Sequence, residues 1–367
     1  MPDLSPVSPP SDLAARLARL AALRDKYFAN ARDTPFQAQL DRLLVPDATG
    51  APTAEPLRLT RTGETRGILV TGAPGSGKTA LVDRTLVRHP ALKARPINAR
   101  AAAPAGGADA GPLPVVSDDG PFHVVSDDGP LRVVSVEVPG PASMKSLALE
   151  ILCLTDYPVT SGRQDAWALW KTVRHRFALR GTCVLWIDEA HDLFRAGTAT
   201  ADMLGVLKSL MQTPGVILIL SGIDRLGQIA AVDPQLDRRL TKVVLPPVAE
   251  ATDGDLLWNM LARCCAEVGL APPARGDLVG RLIHGARAQF GRSLEIIHHA
   301  LEQAIRAGDT TLHIHHFAAA YAMREGCKPA DNVFLAPNWA QLQPGPTPED
   351  KAAATGPKPR RSRARRS

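Results

Sequence analysis

Two short runs hold the residues best suited to chemistry. Gly72-Ala73-Pro74-Gly75-Ser76-Gly77-Lys78-Thr79 fits the spacing G-x-x-x-x-G-K-[ST] in full. Glycines at this spacing let backbone N–H groups turn inward and cradle phosphates at a helix N-terminus, where the dipole favours anions. In such a loop the lysine, Lys78, reaches the β- and γ-phosphates of ATP, and the Thr79 hydroxyl ligates Mg2+. The second run, Val184-Leu-Trp-Ile187-Asp188-Glu189, is an apolar strand that ends in two acids. Asp188 is expected to hold Mg2+ through water and Glu189 to polarise the attacking water, the carboxylate route to water activation. A negative pair at the end of a buried strand is costly unless metal or hydrogen bonds satisfy it.

Both runs need a parallel sheet to position them. Gly67–Thr71 is a short apolar run of the kind buried in such sheets, and it leads directly into the Gly-rich turn and a helix over 78–89. Further strands are expected at 133–138, 183–187, 216–220 and 242–245, with helical patterns at 143–153, 166–179 and 203–211 between them. Strands alternating with helices imply a parallel sheet covered on both faces. From Thr252 onward no strand run appears, and 256–268, 276–285, 293–307 and 315–324 read as four helices. Upstream, 11–43 reads as helix and Pro46–Pro56 as a linker. The expected fold is therefore α/β, a P-loop NTPase sheet flanked by helices and followed by a small all-α lid. Its divisions are an N-terminal helical region and linker (1–56), the nucleotide-binding domain (57–248), the lid (249–328) and a disordered basic tail (329–367).

Within the α/β part, 99–130 reads as a mobile loop. It contains a tandem nine-residue repeat, Pro112–Gly120 and Pro121–Gly129, each ending Ser-Asp-Asp-Gly. Two units are too few and too short for a solenoid, so a duplication that lengthened a surface loop is the expectation. Its removal by one unit is expected to be tolerated, since loop closure entropy changes slowly with length.

Composition narrows the class of protein. The 45% hydrophobic content supports a sizeable core, and no uncharged apolar stretch is long enough to span a membrane. The first residues are Pro/Ser-rich rather than basic-then-apolar, unlike a signal peptide. Five cysteines without a CxxC pair point to reduced thiols and a cytoplasmic location. The net charge of +6 matches six basic residues in the last ten, Lys358 to Arg366, so the basicity is a tail and not a charged domain face. His313, His315 and His316 lack a clear further ligand and are read as structural.

The two motifs in this order resemble AAA+ ATPases, and three further assignments follow from that likeness. Ser221, ending the strand after Asp188, would sense the γ-phosphate. Arg239, with Arg238 as its stand-in, would act as a finger in a neighbouring subunit's site. Arg292, opening a helix at Gly291-Arg292-Ser293, would be a second sensor on the nucleotide. Asp188-Glu189-Ala-His191 also spells a helicase box, but such helicases need a second sheet domain that the helical C-terminal third does not provide.

More narrowly, the sequence is similar to the TniB family of transposition ATP-binding proteins from about Leu13 to Trp339. The markers are Gly72–Thr79, the segment Pro139-Gly-Pro-Ala-Ser-Met-Lys145-Ser-Leu leading to Ile151, and the run Asp188–His191. Asp233-Pro-Gln-Leu236 through Arg239, the helix of Arg292 and the ending Pro337-Asn-Trp339 complete them. The loop over 99–129 is longer than that family's, and Ser221-Gly-Ile stands where it has Gly-Thr. The resemblance implies an ATP-dependent homo-oligomer that assembles on double-stranded DNA, recruits a DDE transposase and works with a TniQ-like targeting protein, without a membrane. Lys145, the first cation of the helix opened by Ser143, would then line the pore and meet DNA phosphates. Two other readings stand beside it: a secretion-associated ATPase of the ExeA type, and a toxin–antitoxin or phage-defence ATPase acting through protein partners alone.

Overall fold

Side-chain alternation builds the sheet. The computed structural model describes residues 11–59, 61, 63–95, 97, 130–138, 143–157, 159, 164–194 and 200–344. The nine-residue repeats, the Pro139–Ala142 part of the family-like segment and the basic tail lie outside them. The described chain forms two units. One comprises Ala29–Gly72 and Lys78–Leu245; the other comprises residues up to Phe28, the loop Ala73–Gly77, and the chain from Pro246 on.

Helix α1 (Ser11–Arg24) opens the chain, followed by α2 (Asp33–Asp41). The expected single helical stretch over 11–43 is interrupted because Asn30 and Asp33 divert the backbone between them. Asn30 N donates to Asp33 Oδ2 at 3.0 Å, and Arg32 N to Asn30 Oδ1 at 2.9 Å. Side chains that bond their own backbone in this way compete with helix. The expected linker 46–56 is instead an antiparallel hairpin of β1 (Leu44–Pro46) and β2 (Pro52–Pro56). Asp47 makes its turn, with Oδ1 accepting from Thr49 N at 2.8 Å and Ala51 N at 3.0 Å. An Asp that bonds backbone N–H groups ahead of it supplies the turn that Pro46 and Pro52 only flank.

The main sheet of the α/β unit has five strands. They are β3 (Gly67–Thr71), β4 (Val133–Glu137), β5 (Val184–Asp188), β6 (Ile217–Gly222) and β7 (Leu240–Val244), all parallel and in spatial order β4-β5-β6-β3-β7. Period-two alternation sends Leu69, Leu185, Ile187, Leu218 and Leu220 into one apolar layer. That layer also takes up α4 (Met144–Leu154), α5 (Ala166–Arg180), α6 (Thr200–Gln212) and α7 (Arg225–Ala231). Ile68, Val70, Trp186, Ile217 and Ile219 face the opposite layer, with α2 and α3 (Lys78–Arg88). Both faces are covered, as near-continuous apolar strands require. The short helix α8 (Pro234–Asp237), capped by Asp233, leads into β7. Sequence periodicity misses α7 and α8, which are too short to show it.

The second unit is helical: α1 with α9 (Glu250–Val268), α10 (Leu278–Gly285), α11 (Phe290–Ala307) and α12 (Ile314–Glu325). Leu20 and Leu23 of α1 are buried in one core with Leu257, Leu261, Ile297 and Leu301. Arg16 anchors the same helix, donating to Val268 O at 3.2 Å and Asp309 O at 3.0 Å. The first helix thus packs with the C-terminal helices and not within a separate N-terminal region 1–56. The chain beyond 328 also differs from expectation as far as residue 344. Val333 and Phe334 are buried, and Arg281 Nη1 donates to Val333 O at 2.7 Å and Ala336 O at 2.9 Å. No described helix is long and apolar enough to cross a membrane.

Candidate nucleotide site

In a parallel sheet with crossover helices, ligand sites form outside the carboxyl ends of the strands. β5 delivers Asp188 to that end of the sheet, and β6 delivers Ser221 beside it. Asp188 is buried, and its two oxygens are held by two hydroxyls. Thr79 Oγ1 donates to Oδ2 at 2.6 Å, and Ser221 Oγ donates to Oδ1 at 2.5 Å. Ser221 in turn accepts from Trp186 Nε1 at 2.8 Å, so a chain of hydrogen bonds fixes the carboxylate. Bonds to a charged group contribute about 1.5–3 kcal/mol each, enough to offset much of the cost of burying it. Ser221 therefore positions Asp188 in this structure, a role the expectation of a phosphate sensor did not include.

Lys78, at the first residue of α3, is buried and donates to Gly72 O at 3.0 Å. Burial pushes its ammonium pKa down, opposed by the nearby carboxylates of Glu189, Asp188 and Asp224. An ammonium in such a place gains from an anion of higher charge.

Glu189 differs from its neighbour. Its backbone is left-handed, with φ +48°, a conformation that costs a non-glycine residue about 1–2 kcal/mol and clusters at functional sites. A turn fixes it, with Asp192 N donating to Glu189 O at 2.9 Å as the 3-10 helix Ala190–Phe194 begins. The side chain is 38% exposed, and its Oε2 lies 3.1 Å from His191 Nδ1. The other ring nitrogen of His191 lies 3.3 Å from Asp192 Oδ1. A Cβ on Gly222 would stand 3.1 Å from His191 Nδ1, so the glycine ending β6 leaves room for the ring. No role for His191 follows from the motif reading. Its place two residues beyond Glu189 is the signal that was available.

The loop Ala73–Gly77 is shaped within the helical unit. Gly75 (φ +78°) and Gly77 (φ +94°) take backbone conformations that only glycine adopts readily. Gly291 N donates to Gly75 O at 2.9 Å, and a Cβ on Gly291 would meet that oxygen at 2.8 Å. This close approach sets Arg292 against the loop, where a Cβ on Gly75 would stand 2.8 Å from its Cγ. Arg292 is buried and reaches Glu325 at 3.3 Å. Ser76 is also buried, and its Oγ has no hydrogen-bond partner among the described residues. A buried hydroxyl left so costs about 1–3 kcal/mol, which a phosphate oxygen would recover. These features fit a nucleotide phosphate chain, and the Thr79 and Asp188 oxygens are of the hard type that suits Mg2+.

Arg239 does not stand ready to act on a neighbour. It is buried just before β7, and its Nη2 donates to Glu64 Oε1 at 2.7 Å. Its Nε and Nη1 have no partner among the described residues, and Glu64 Oε1 also accepts from Gln212 Nε2 at 3.1 Å. Arg238, one residue earlier, is exposed. Glu64 lies 175 residues away in sequence, and no motif points to it. Lys145 stands half-buried in the first turn of α4, after the capping Ser143.

The three histidines serve a helix start. His313 N donates to His316 Nδ1 at 3.0 Å, and His316 Nε2 lies 2.8 Å from Asp309 Oδ2. With Nδ1 used as acceptor, the ring proton sits on Nε2. His316 then has no lone pair left for a metal, although Asp309, His315 and His316 are close enough together to suggest one.

Comparison with known proteins agrees with this geometry. Residues 61–229 match the AAA domain family. No curated protein matches the sequence significantly. Among solved structures, the Orc1 protein of Aeropyrum pernix, determined in complex with DNA, aligns with TM-score 0.53 at 16% identity, covering 84% of this chain and 69% of that one. The ORC2 protein of the same organism, determined with ADPNP and ADP, aligns with TM-score 0.50 at 16% identity, covering 88% and 71%. This chain has the AAA+ P-loop fold. The parallel sheet, the loop ahead of α3 and the helical C-terminal region all belong to it.

Proposed function

We propose that this protein is a slow, regulatory ATPase that assembles on double-stranded DNA in an ATP-dependent way and recruits a DDE transposase. The observation that carries the ATPase part is the double clamp of Thr79 and Ser221 on Asp188, with Glu189 one residue further on. Lys78, Ser76 and the loop N–H groups would bind the phosphates, and Arg292 would lie along them. Thr79 and Asp188 would hold Mg2+, which neutralises phosphate charge when bound. Glu189 would accept the proton of the attacking water, and His191 would orient its carboxylate. The exposed Arg238, in preference to Arg239, would reach the neighbouring subunit's γ-phosphate.

The DNA and transposase part rests on the family-like segments of the sequence; for DNA alone, a protein of similar fold has been determined in complex with it. A TniQ-like targeting protein would be a further partner, and the homo-oligomer would repeat Lys145 around a pore. One lysine per subunit would touch phosphates without reading bases, which suits sequence-tolerant binding.

Titrating duplex DNA at several salt concentrations, with and without ATP, tests this part. Each neutralised phosphate adds about 0.9 to the log–log salt slope. Lys145→Ala should weaken binding only when ATP is present, and truncation of Lys358–Arg366 should lower the slope in both states. Affinity indifferent to salt, nucleotide and both changes would remove DNA as the partner.

A further inference from the structure

One carboxylate of the helical unit holds two guanidinium groups. Glu325 ends α12, and its side chain is 15% exposed. Arg287 Nη2 donates to its Oε2 at 3.1 Å, and Arg292 Nη2 donates to its Oε1 at 3.3 Å. Arg324 Nε lies 3.9 Å from the same Oε1.

The turn between α10 and α11 brings both arginines there. Arg287 (φ +56°) and Ala288 (φ +55°) are consecutive non-glycine residues in the left-handed conformation, which persists only where the surroundings over-determine it. Here Arg287 N donates to His284 O at 2.9 Å, Ala288 N to Ile283 O at 2.8 Å, and Val248 N to Ala288 O at 2.7 Å. α11 then starts at Phe290, Gly291 meets the phosphate loop, and the stem of Arg292 crosses Gly75. A Cβ on Gly75 would stand 3.2 Å from Arg292 Cδ, the atom that carries the guanidinium. The head group can therefore pass between Glu325 and the loop by a change of side-chain torsion, with the backbone in place.

Two features favour such an exchange. Charge-assisted N–H···O bonds usually measure about 2.7–2.9 Å, so the bond from Arg292 to Glu325 at 3.3 Å is long. Glu325 also stays paired with Arg287 when Arg292 leaves, which removes the main cost of breaking a buried ion pair, a charge left without a partner. A chain of phosphates carries more negative charge than one carboxylate, and its oxygens accept the paired N–H donors of a guanidinium. It therefore competes well with Glu325 for Arg292.

We infer that Glu325 is the resting partner of Arg292, which the phosphates of a nucleoside triphosphate displace, so that Glu325 sets the affinity for ATP by competing with it. The inference rests on the reading of Arg292 as a phosphate ligand and is independent of hydrolysis at Glu189 and of DNA binding.

Fluorescence titration of the full chain with MANT-ATP measures the competition. Arg292→Gln should weaken binding about tenfold, the worth of one hydrogen bond to a charged group. Glu325→Gln keeps the size of the side chain and removes its charge, and it should tighten binding about threefold to tenfold. Arg287→Gln leaves Glu325 more dependent on Arg292, so it should weaken binding, and it keeps the test open if the Glu325 variant fails to fold. In the Arg292→Gln background both shifts should vanish, because each acts through that guanidinium. Binding unchanged or weaker in Glu325→Gln, or unchanged or tighter in Arg287→Gln, would overturn the inference, while a loss in Arg292→Gln alone would uphold the reading of Arg292. Shifts that persist in the double variants would overturn it too, by revealing an effect of charge at a distance. Unchanged binding in Arg292→Gln would overturn the reading of Arg292 itself, and the inference with it.

Discussion

The two ends of one parallel sheet treat charge in opposite ways. At the carboxyl end, Asp188 is buried and aligned by Thr79 and Ser221, and Lys78 is buried with its pKa pushed down. Ser76, in the loop after β3, lacks a hydrogen-bond partner among the described residues. Lys78 and Ser76 would gain from a phosphate, whereas Asp188 would gain only from a cation such as Mg2+. At the amino end, Arg239 already pairs with Glu64 at 2.7 Å, although its Nε and Nη1 lack partners among the described residues. The difference shows why motif offset alone misleads for arginine. What decides its role is whether an internal carboxylate has reached it first.

The largest effect that sharpens this contrast is expected from Lys78→Ala. Removing the main cation facing the phosphates should weaken nucleotide binding at the phosphate loop at least a hundredfold. Fluorescence titration checks it. Normal affinity there would break the assignment of the carboxyl end.

Ser221→Ala comes next. It removes one donor to Asp188 and the acceptor of Trp186 Nε1, so turnover should fall about tenfold to a hundredfold with little change in nucleotide affinity. Steady-state kinetics separates the two quantities. A change confined to affinity would return Ser221 to the role of phosphate sensor.

At the other end, Arg239→Ala should act on stability and only indirectly on catalysis. Removing one partner of a buried pair costs about 3–5 kcal/mol, at the lower end here because Gln212 Nε2 also donates to Glu64 Oε1 at 3.1 Å. Denaturant unfolding measures this loss, and a change below about 1 kcal/mol would mean the pair is not closed in solution.

Arg238→Ala should leave stability unchanged within about 0.5 kcal/mol, as exposed substitutions usually do. Its turnover should nevertheless fall, and mixing with a Glu189→Gln chain should restore part of it, because each mutant supplies what the other lacks. Mixtures that co-assemble without recovering any hydrolysis would place the finger elsewhere.

Much of this was legible in the sequence where one period or one motif governed. β3 and α5 lie where apolar runs and spacing put them, and the P-loop context of strand, turn and helix is present as expected. What was not legible depended on side chains meeting across long separations or on single polar groups. Asp47 turned a presumed linker into a hairpin, and Arg281 tied residues 333–336 onto the helical unit. α1 joins the C-terminal helices through Leu20 and Leu23, although more than 200 residues separate it from them. A periodic apolar face announces that a helix is buried, not which partner buries it. In the site, Asp188 and Glu189 were read correctly as neighbours on one strand end. Their different environments, one clamped by hydroxyls and the other left-handed beside His191, required the fold.

The most direct test of the carboxyl-end account is to compare ATP binding with single-turnover hydrolysis in Glu189→Gln. The substitution keeps the size of the side chain and removes only its capacity to take a proton. Binding should stay within about twofold of wild type, while hydrolysis falls by at least about a hundredfold, the lower end of what a general base contributes. Hydrolysis at the wild-type rate in this variant would contradict the account, because the group placed to activate water would then not be Glu189.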